Sequence, residues 1–218
     1  MVVKLATQNV LDIAKEKGVD QFVFASSSSV YGMNPNTPWR EDDHDLMPIS
    51  PYASSKISGE FLGRVYSHLY GIRFLAMRLF TVYGPGQRPD LAIYKFTKMI
   101  LEGTPIPFYG DGNSRRDYTF VDDAVAELMA ALEYKDSMYE IINAGNERTV
   151  SLNEMVEDLE DVLGKNAIRD EKLLQPGDVP LTCASMEKSR SLLDFCPRVS
   201  FKEGLESFVS WFLNGGRV

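Results

Sequence analysis

The chain has 218 residues, of which 44% are hydrophobic and 25% charged, so it can bury a substantial core. Its net charge of −8 argues against nucleic acid and anionic membranes as partners. No apolar run is long enough to cross a bilayer, and the first residues show no secretion signal. Because Cys183 and Cys196 are too few and too far apart for a zinc site or a redox pair, we expect reduced thiols and a cytoplasmic location.

Helices and strands alternate along the chain. The apolar spacing predicts strands at residues 21–25, 73–79, 106–109 and 139–143, and helices at residues 3–17, 51–70, 91–102 and 122–134. Ser151, with Glu154 three residues later, has the capping-box pattern of a helix start, and shorter helices are predicted near 186–193 and 201–213. Such alternation is typical of an α/β fold built on a parallel sheet.

The predicted helix at 51–70 begins with a phenol and an ammonium one turn apart, in the run Ser50-Pro51-Tyr52-Ala53-Ser54-Ser55-Lys56. Ser50 and Pro51 fit the N-cap and first helical positions. Tyr52 and Lys56 share a helical face because they are four residues apart. A neighbouring cation favours a phenolate, which can act as a base. Taken alone, the pair is better explained by a partly buried tyrosine beside a solvated lysine.

Four serines, at residues 26–29, follow the strand predicted at 21–25 and lead into Val30-Tyr31-Gly32. The carboxyl ends of parallel strands form the usual ligand crevice, so we expect these hydroxyl groups at the functional site. A flexible serine linker is the alternative interpretation. The flanking strand and the Val-Tyr-Gly run argue against it.

Several motifs occur here in one order: the serine-rich strand end, the Tyr52/Lys56 pair, the run at 78–85 (Arg-Leu-Phe-Thr-Val-Tyr-Gly-Pro) and the run at 116–123 (Arg-Asp-Tyr-Thr-Phe-Val-Asp-Asp). Together they closely resemble the extended short-chain dehydrogenase/reductases, in the branch of the NAD-dependent nucleotide-sugar epimerases and dehydratases. The likeness covers nearly the whole chain. The segments 81–92 and 175–180 are most similar to the UDP-glucuronate 4-epimerases.

The resemblance implies a truncated Rossmann-type parallel sheet with flanking helices plus a small C-terminal substrate-binding lobe. Members of this branch hold the dinucleotide pyrophosphate on a glycine-rich turn between a strand and a helix, and no run in this sequence has that spacing. We therefore expect residues 1–90 to form a partial NAD-binding unit. Residues 91–218 would form mainly the substrate lobe, with 118–145 returning to the Rossmann sheet.

The resemblance also assigns catalytic roles. Ser27 matches the serine that hydrogen-bonds the reacting sugar oxygen, Tyr52 the base and Lys56 its activator. These three residues and Phe80, which matches a position beside the nicotinamide, are the expected NAD contacts. The implied reaction moves the C4 hydroxyl proton to Tyr52 and a hydride to NAD, and hydride return to the other face of the 4-keto sugar inverts C4.

The same serine loop separates reaction classes within the family. Dehydratases carry an Asp-Glu pair, and decarboxylases a Glu, where this chain has Ser28-Ser29. Both alternatives thus lack their essential carboxylate here, and 4-epimerisation of a UDP-sugar is the reaction that the resemblance favours. Ser28 and Thr81 are the positions expected to face the sugar. Arg88 matches the residue that meets the C6 carboxylate of a uronate, its plainer interpretation being a solvated loop arginine.

Three further residues match contacts with the nucleotide. Arg116 corresponds to the arginine on the diphosphate, Tyr109 to an aromatic ring stacked on uracil, and Asp178 to a carboxylate that contacts the nucleotide. The plainer alternatives are a surface ion pair of Arg116 with Asp117 or Asp122, and ordinary core packing of Tyr109. No metal ligand is expected.

We expect a homodimer through the helices at 3–17 and 51–70, since relatives dimerise through a four-helix bundle at these positions. The substrate pair expected is UDP-glucuronate and UDP-galacturonate. Two alternatives stay open at this point. The chain could be a UDP-glucose 4-epimerase, or a truncated, catalytically silent module that binds UDP-sugars.

Overall fold

A computed structural model describes residues 2–174 and 178–216. Its helices are α1 (Val2–Glu16), α2 (Pro51–Tyr70), α3 (Ala92–Glu102), α4 (Val121–Glu133), α5 (Leu152–Leu163), α6 (Glu187–Leu193) and α7 (Phe201–Leu213). Its strands are β1 (Gln21–Ser27), β2 (Arg73–Leu79), β3 (Thr81–Tyr83), β4 (Ile106–Tyr109), β5 (Arg115–Phe120), β6 (Tyr139–Ala144), β7 (Thr149–Ser151) and β8 (Arg169–Lys172). The predicted helices and strands are all present, and β3, β5, β7 and β8 are additional.

The main sheet consists of β1, β2 and β6 in the order β1-β2-β6, and all its strands run parallel. On β1 and β2, residues of even number near the strand centres, such as Phe24 and Phe74, pack against α1 and α2. Residues of the opposite parity, such as Leu75 and Met77, pack against α4. The sheet is therefore covered on both faces, as expected of an α/β fold, and the predicted fold class is confirmed.

Helix α2 makes the crossover between β1 and β2, and local signals fix both its ends. The Ser50 side chain accepts a hydrogen bond from the Ala53 N–H at 3.1 Å, and Pro51 occupies the first helical position. Gly71 ends the helix in the left-handed conformation, with a φ of 69°. Because a crossover helix runs back along the sheet, its first turn, which carries Tyr52, lies at the carboxyl end of the strands.

A second core lies among the later elements. Side chains of α3, α5 and α7 pack there with β4 and β5, around Ile100, Phe108, Leu159 and Phe208. In this part β5 pairs in parallel with β3 and antiparallel with β7, and β4 pairs in parallel with β8. Strand β3 directly follows β2 in sequence, so the chain passes from the main sheet into the second core at Phe80.

Glu127 on α4 is a fully buried carboxyl group between α4 and α6. The Ser189 hydroxyl donates to its Oε1 at 2.6 Å, and its Oε2 has no hydrogen-bond partner among the residues that the structure describes. Burial, together with the charges of Glu41, Asp117 and Asp123, raises the pKa of Glu127 to about 8. Glu127 is therefore neutral in the fold at neutral pH.

This carboxyl group makes the stability depend on pH. Its pKa is higher in the folded than in the unfolded chain, so the contribution is fully present below about pH 4 and is lost as the pH rises through about 8. We expect the melting temperature to fall between about pH 5 and about pH 8, and to fall less in Glu127→Gln, which cannot ionise. Thermal denaturation at several pH values measures this. Glu133→Gln, at an exposed position of the same helix, should keep the wild-type profile; equal slopes for Glu127→Gln and wild type would contradict the assignment.

Candidate active site

The start of α2 and the end of β1 bring Tyr52 and Lys56 together. The Tyr52 side chain is 50% exposed, and the Lys56 Nζ lies 5.5 Å from the centroid of its ring. The ammonium does not sit on the phenol oxygen, however, because it donates to the Ala25 carbonyl oxygen at 2.6 Å. The two side chains thus share a face of α2, with Lys56 directed toward the strand.

The Ala25 carbonyl lies on the outer side of β1. The Arg73 N–H donates to the Asp20 carbonyl oxygen, so that carbonyl faces β2, and carbonyls alternate in direction along a strand. The Ala25 oxygen, five residues later, therefore faces away from β2. Lys56 satisfies an acceptor at this outer side while its two remaining N–H groups are available to other acceptors.

The serines after β1 form a tight turn. Ser27 is the N-cap of a 3₁₀ turn over Ser28–Val30; its hydroxyl oxygen accepts the Ser29 N–H at 3.2 Å and its hydroxyl donates to the Ser29 Oγ at 3.1 Å. Ser28 and Ser29 line a cavity of about 430 Å³, together with Gly32, Trp39, Ile49, Ser50, Thr81, Arg116, Val179 and Thr182. We call this the serine cavity. It joins the predicted positions Ser28, Thr81 and Arg116 to the N-cap of the helix that carries Tyr52.

A second cavity, of about 260 Å³, contains the predicted nucleotide contacts. Tyr109, Arg116 and Asp178 line it, along with Lys95, Tyr118 and other residues of the second core. We call it the tyrosine cavity. Arg116 is shared by the two cavities, because it lines both of them.

Arg116 forms an ion pair, but not with a neighbour in sequence. Its Nη2 lies 2.7 Å from the Asp178 Oδ1, and its Nη1 donates to the Arg115 carbonyl oxygen at 3.0 Å. The alternative pairing with Asp117 or Asp122 is therefore not what the structure contains. Gln175, Pro176 and Gly177, which belong to the motif before Asp178, lie outside the described residues.

Asp117 is instead buried and anchors two loops. Its carboxylate accepts the N–H groups of Asn146 at 2.7 Å, Glu147 at 3.0 Å and Ala184 at 2.9 Å. Burial raises its pKa to about 6, against the opposing effect of these hydrogen bonds. The Asp117 N–H also donates to the Thr182 Oγ at 3.1 Å, so this residue fixes part of the serine cavity wall. Sequence reasoning missed it, because only the folded loops bring the three donors together.

Two predicted residues lie apart from these cavities. Phe80 is buried and packs against Tyr31 and Trp39, with ring centroids 6.5 and 6.1 Å apart. The Arg88 Nη2 lies 3.0 Å from the Asp90 Oδ2 in an exposed ion pair, and Arg88 lines a different cavity on the loop after β3. The structure does not bring Arg88 into the serine cavity with Ser28 and Thr81.

Two loops complete the serine cavity. The Trp39 N–H donates to the Cys183 carbonyl oxygen at 2.8 Å, and the Ser185 N–H donates to the Trp39 carbonyl oxygen at 2.9 Å. These bonds hold the loop after the serine turn against the segment of Val179 and Thr182. The resulting wall depends on pairing between residues about 140 positions apart, which no local pattern predicts.

Comparison with known proteins identifies the family. The model of the NAD dependent epimerase/dehydratase family matches residues 4–145. UDP-glucuronate 4-epimerase of Thermodesulfobacterium geofontis is 42% identical over 207 residues, which cover 94% of this chain and 63% of that protein. The chain belongs to the NAD dependent epimerase/dehydratase family, and it spans slightly less than two thirds of the length of this relative.

Solved structures agree with the fold. The UDP-glucuronic acid 4-epimerase of Bacillus cereus, in complex with UDP-glucuronic acid and NAD, superposes with a TM-score of 0.91 at 37% identity, covering 97% of this chain and 67% of that one. The UDP-N-acetylglucosamine 4-epimerase of Methanobrevibacter ruminantium M1 gives 0.90 at 30% identity, covering 96% and 68%. Neighbours named for different sugars share this fold, so the fold alone does not determine the substrate.

Among the described residues, no helix combines the length and the apolar character needed to cross a membrane.

Proposed function

We propose that this chain carries out NAD-dependent 4-epimerisation of a UDP-sugar, with UDP-glucuronate and UDP-galacturonate as the substrate pair. The observation that carries the proposal is that Arg116 lines both cavities. A sugar in the serine cavity and a uridine in the tyrosine cavity would place the connecting diphosphate at that guanidinium. A planar, permanently charged fork suits phosphate oxygens. The B. cereus neighbour, solved with UDP-glucuronic acid and NAD, supports the same assignment.

The residues at the end of β1 fit the nicotinamide end of NAD. Lys56 has two N–H groups left after its bond to the Ala25 carbonyl, and Tyr52 is half exposed. Ser27 is the last residue of β1. The sequence has no glycine-rich run with phosphate-loop spacing, so this fit covers the nicotinamide end alone. When bound, NAD supplies reversible hydride transfer at C4.

The side chains of this chain would do the remaining work. The Tyr52 phenolate oxygen accepts the C4 hydroxyl proton and later returns it, while the Lys56 ammonium stabilises the phenolate. The Ser27 hydroxyl orients the reacting oxygen. Arg116 holds the diphosphate and Tyr109 stacks on uracil, so the sugar can turn in the serine cavity while the nucleotide stays fixed. Asp178 would give up its ion pair with Arg116 and contact the nucleotide instead.

Replacing the base tests this reaction. Tyr52→Phe should abolish turnover and leave UDP-glucuronate binding nearly unchanged, since it removes a proton acceptor and little volume. NMR of the anomeric protons follows turnover with NAD added, and calorimetry follows binding. Tyr70→Phe, at a half-exposed tyrosine at the other end of α2, should be fully active. Turnover by Tyr52→Phe at the wild-type rate would rule out this role.

The same calorimetry separates an enzyme from a silent binding module. Micromolar binding of UDP-glucuronate without turnover would favour the catalytically silent binding module. We expect the 218-residue chain to bind UDP-sugars more tightly than NAD, because Arg116, Tyr109 and Asp178 are assembled and a glycine-rich phosphate loop is not present in its sequence. Tight NAD binding without any response to UDP-glucuronate would contradict the assignment of the two cavities.

Arg88 is the proposed contact for the C6 carboxylate of the uronate, a role that requires its side chain to turn from Asp90 toward the serine cavity. Its ion pair with Asp90 is exposed, and such pairs contribute little, so a substrate carboxylate can replace Asp90 as the partner. Arg88→Ala should therefore lower the uronate reaction roughly ten- to a hundredfold and UDP-glucose epimerisation much less. Lys98→Ala, at an exposed pair on α3, serves as the control. An equal loss for both sugars would favour a UDP-glucose 4-epimerase, with Ser28 and Thr81 as the remaining sugar contacts.

We also infer a homodimer through α1 and α2. Their outer faces carry apolar side chains that are between 48% and 62% exposed: Val10, Ile13, Phe61, Val65 and Leu69. On α2 three of these recur every four residues and so form one stripe. An apolar stripe of this length is typical of a helix that packs against a partner.

A charge in this stripe should separate the subunits. Phe61→Glu is expected to shift the mass measured by light scattering from dimer to monomer, because a carboxylate cannot be buried there without a partner. Leu213→Glu introduces the same charge at an equally exposed site on α7 and should leave the dimer intact. A wild-type monomer at high concentration would refute the inference.

We further propose two lobes, with residues 1–90 as the cofactor side and 91–218 mainly as the substrate side, except that 118–145 returns to the main sheet. The separate cores around Phe74 and Phe108 support this division. A cytoplasmic location is part of the same proposal, and Cys183 and Cys196 are both free thiols.

A further inference from the structure

A row of polar side chains crosses the main sheet one residue below the serine turn. Ser26, Arg78 and Asn143 are neighbours in register on β1, β2 and β6, and all three are buried. The preceding residues on the same face, such as Phe24 and Ala76, are apolar. This row therefore interrupts an otherwise hydrophobic face at the edge of the candidate active site.

Glu60 on α2 packs over this row and forms hydrogen bonds with two of its members. Its Oε1 accepts the Ser26 hydroxyl at 2.5 Å and the Arg78 Nε at 3.0 Å, and its Oε2 accepts the Arg78 Nη2 at 2.9 Å. The two charged side chains are 4% and 2% exposed. This is a two-pronged guanidinium–carboxylate contact, the most directional ion pair that proteins form.

The same arginine supports the serine turn from its other end. The Arg78 Cζ lies 4.7 Å from the centroid of the Tyr31 ring, which follows the turn directly. The Tyr31 hydroxyl donates to the Asn143 Oδ1 at 2.7 Å. Burial raises the pKa of Tyr31 to about 12, so its phenol remains a neutral donor. Ser26 and Tyr31, the residues on either side of the turn, thus both connect to the Glu60–Arg78 pair.

Helix α2 contacts β1 on two successive turns. Lys56 donates to the carbonyl of Ala25, and Glu60, four residues later, accepts from the side chain of Ser26. Tyr52 lies one turn earlier on the same helical face. A slide or rotation of α2 would break both contacts at once and would move Tyr52 relative to the serines.

Stability alone does not account for a buried ion pair. Removing two charges from water costs much of what their attraction returns, and apolar side chains of similar size often stabilise a fold equally or better. A directional pair does fix the relative position of the elements that carry it. Here those elements are the helix of the proposed base and the strands beneath the serine turn.

We propose that Glu60 and Arg78 are positioning residues, whose buried pair sets the placement of Tyr52 relative to the Ser27–Ser29 turn. The inference rests on the proposed function for the reaction that this placement serves. Neither side chain touches substrate in this scheme. Both act through Ser26, Tyr31 and α2.

The test separates positioning from stability. The double variant Glu60→Met/Arg78→Met replaces the pair by unbranched apolar side chains, so we expect a melting temperature at or above that of wild type. Misplacement by about 1 Å can cost about 100-fold in rate, so kcat should fall by about that factor with KM little changed. Hydrogen exchange at the amides of residues 27–31 should accelerate at unchanged global stability. Lys202→Met, at an exposed ion pair with Asp161, is the matched control and should change none of these.

Wild-type kcat together with wild-type exchange in the folded double variant would overturn the inference. If the double variant does not fold, Arg78→Lys decides, because lysine keeps the charge but loses the two-pronged contact. It should lower kcat and accelerate exchange, and a wild-type result in both would overturn the inference. Absence of turnover in the wild-type protein would reject the proposed function instead. The exchange measurement then decides alone: an accelerated turn supports positioning, and an unchanged one overturns it.

Discussion

The close approach of α2 to the main sheet is the constraint on which the site depends. Gly63 faces the ring of Phe74 and Gly59 the ring of Phe24, and a Cβ at these glycines would lie within 2.1 and 2.5 Å of those rings. Two aromatic side chains therefore fill the space that helix side chains would otherwise occupy. Because α2 lies this near, Lys56 can reach a backbone carbonyl of β1. The proposed base, its neighbouring cation and the buried pair all depend on that separation.

Local signals explain why α2 could be predicted from the sequence to the residue. Its start is set by Ser50 and Pro51 and its end by Gly71, and each acts within four residues along the chain. The strands β1, β2 and β6 were equally predictable, because a strand covered on both faces is a continuous apolar run. By contrast, β7 and β8 have three and four residues, and β8 is exposed along its whole length. Such short strands form because they pair with a neighbouring strand, so their own sequence contains little pattern that predicts a strand.

Part of the site could be predicted because short local motifs name its residues. Ser28, Thr81, Arg116, Tyr109 and Asp178 were named from motifs, and they line two cavities that share Arg116. What the motifs could not supply was each side chain's partner. Lys56 contacts a carbonyl, Arg88 pairs with Asp90, and Asp117 is buried rather than paired with Arg116. Each of these outcomes depends on groups brought close by tertiary structure, or on rotamers that sequence does not specify.

Charge is distributed unevenly between the surface and the site. The chain as a whole carries −8, so an anionic sugar nucleotide, the proposed substrate, would approach against the overall field and would need a local cation. Arg116 is the cation proposed for this role, and its partner Asp178 also lines the tyrosine cavity. A carboxylate beside the guanidinium keeps it in place before a ligand arrives. It also means that a diphosphate must displace or share an existing contact, which favours a ligand with two phosphate groups over one with a single weak acceptor.

Two buried glutamates show how the surroundings determine what a carboxyl group can do. Glu127 faces the hydroxyl of Ser189 and other carboxylates, and burial keeps it neutral to about pH 8. Glu60 faces a guanidinium that contacts both its oxygens. Burial lowers the pKa of Arg78, but the interactions with Glu60 and Tyr31 raise it by more, so it lies above its ordinary value. A neutral carboxyl joins α4 to α6 without directing either strongly. An ionised pair has strict geometry, and it occurs where α2 must hold Tyr52 in one position above the serine turn.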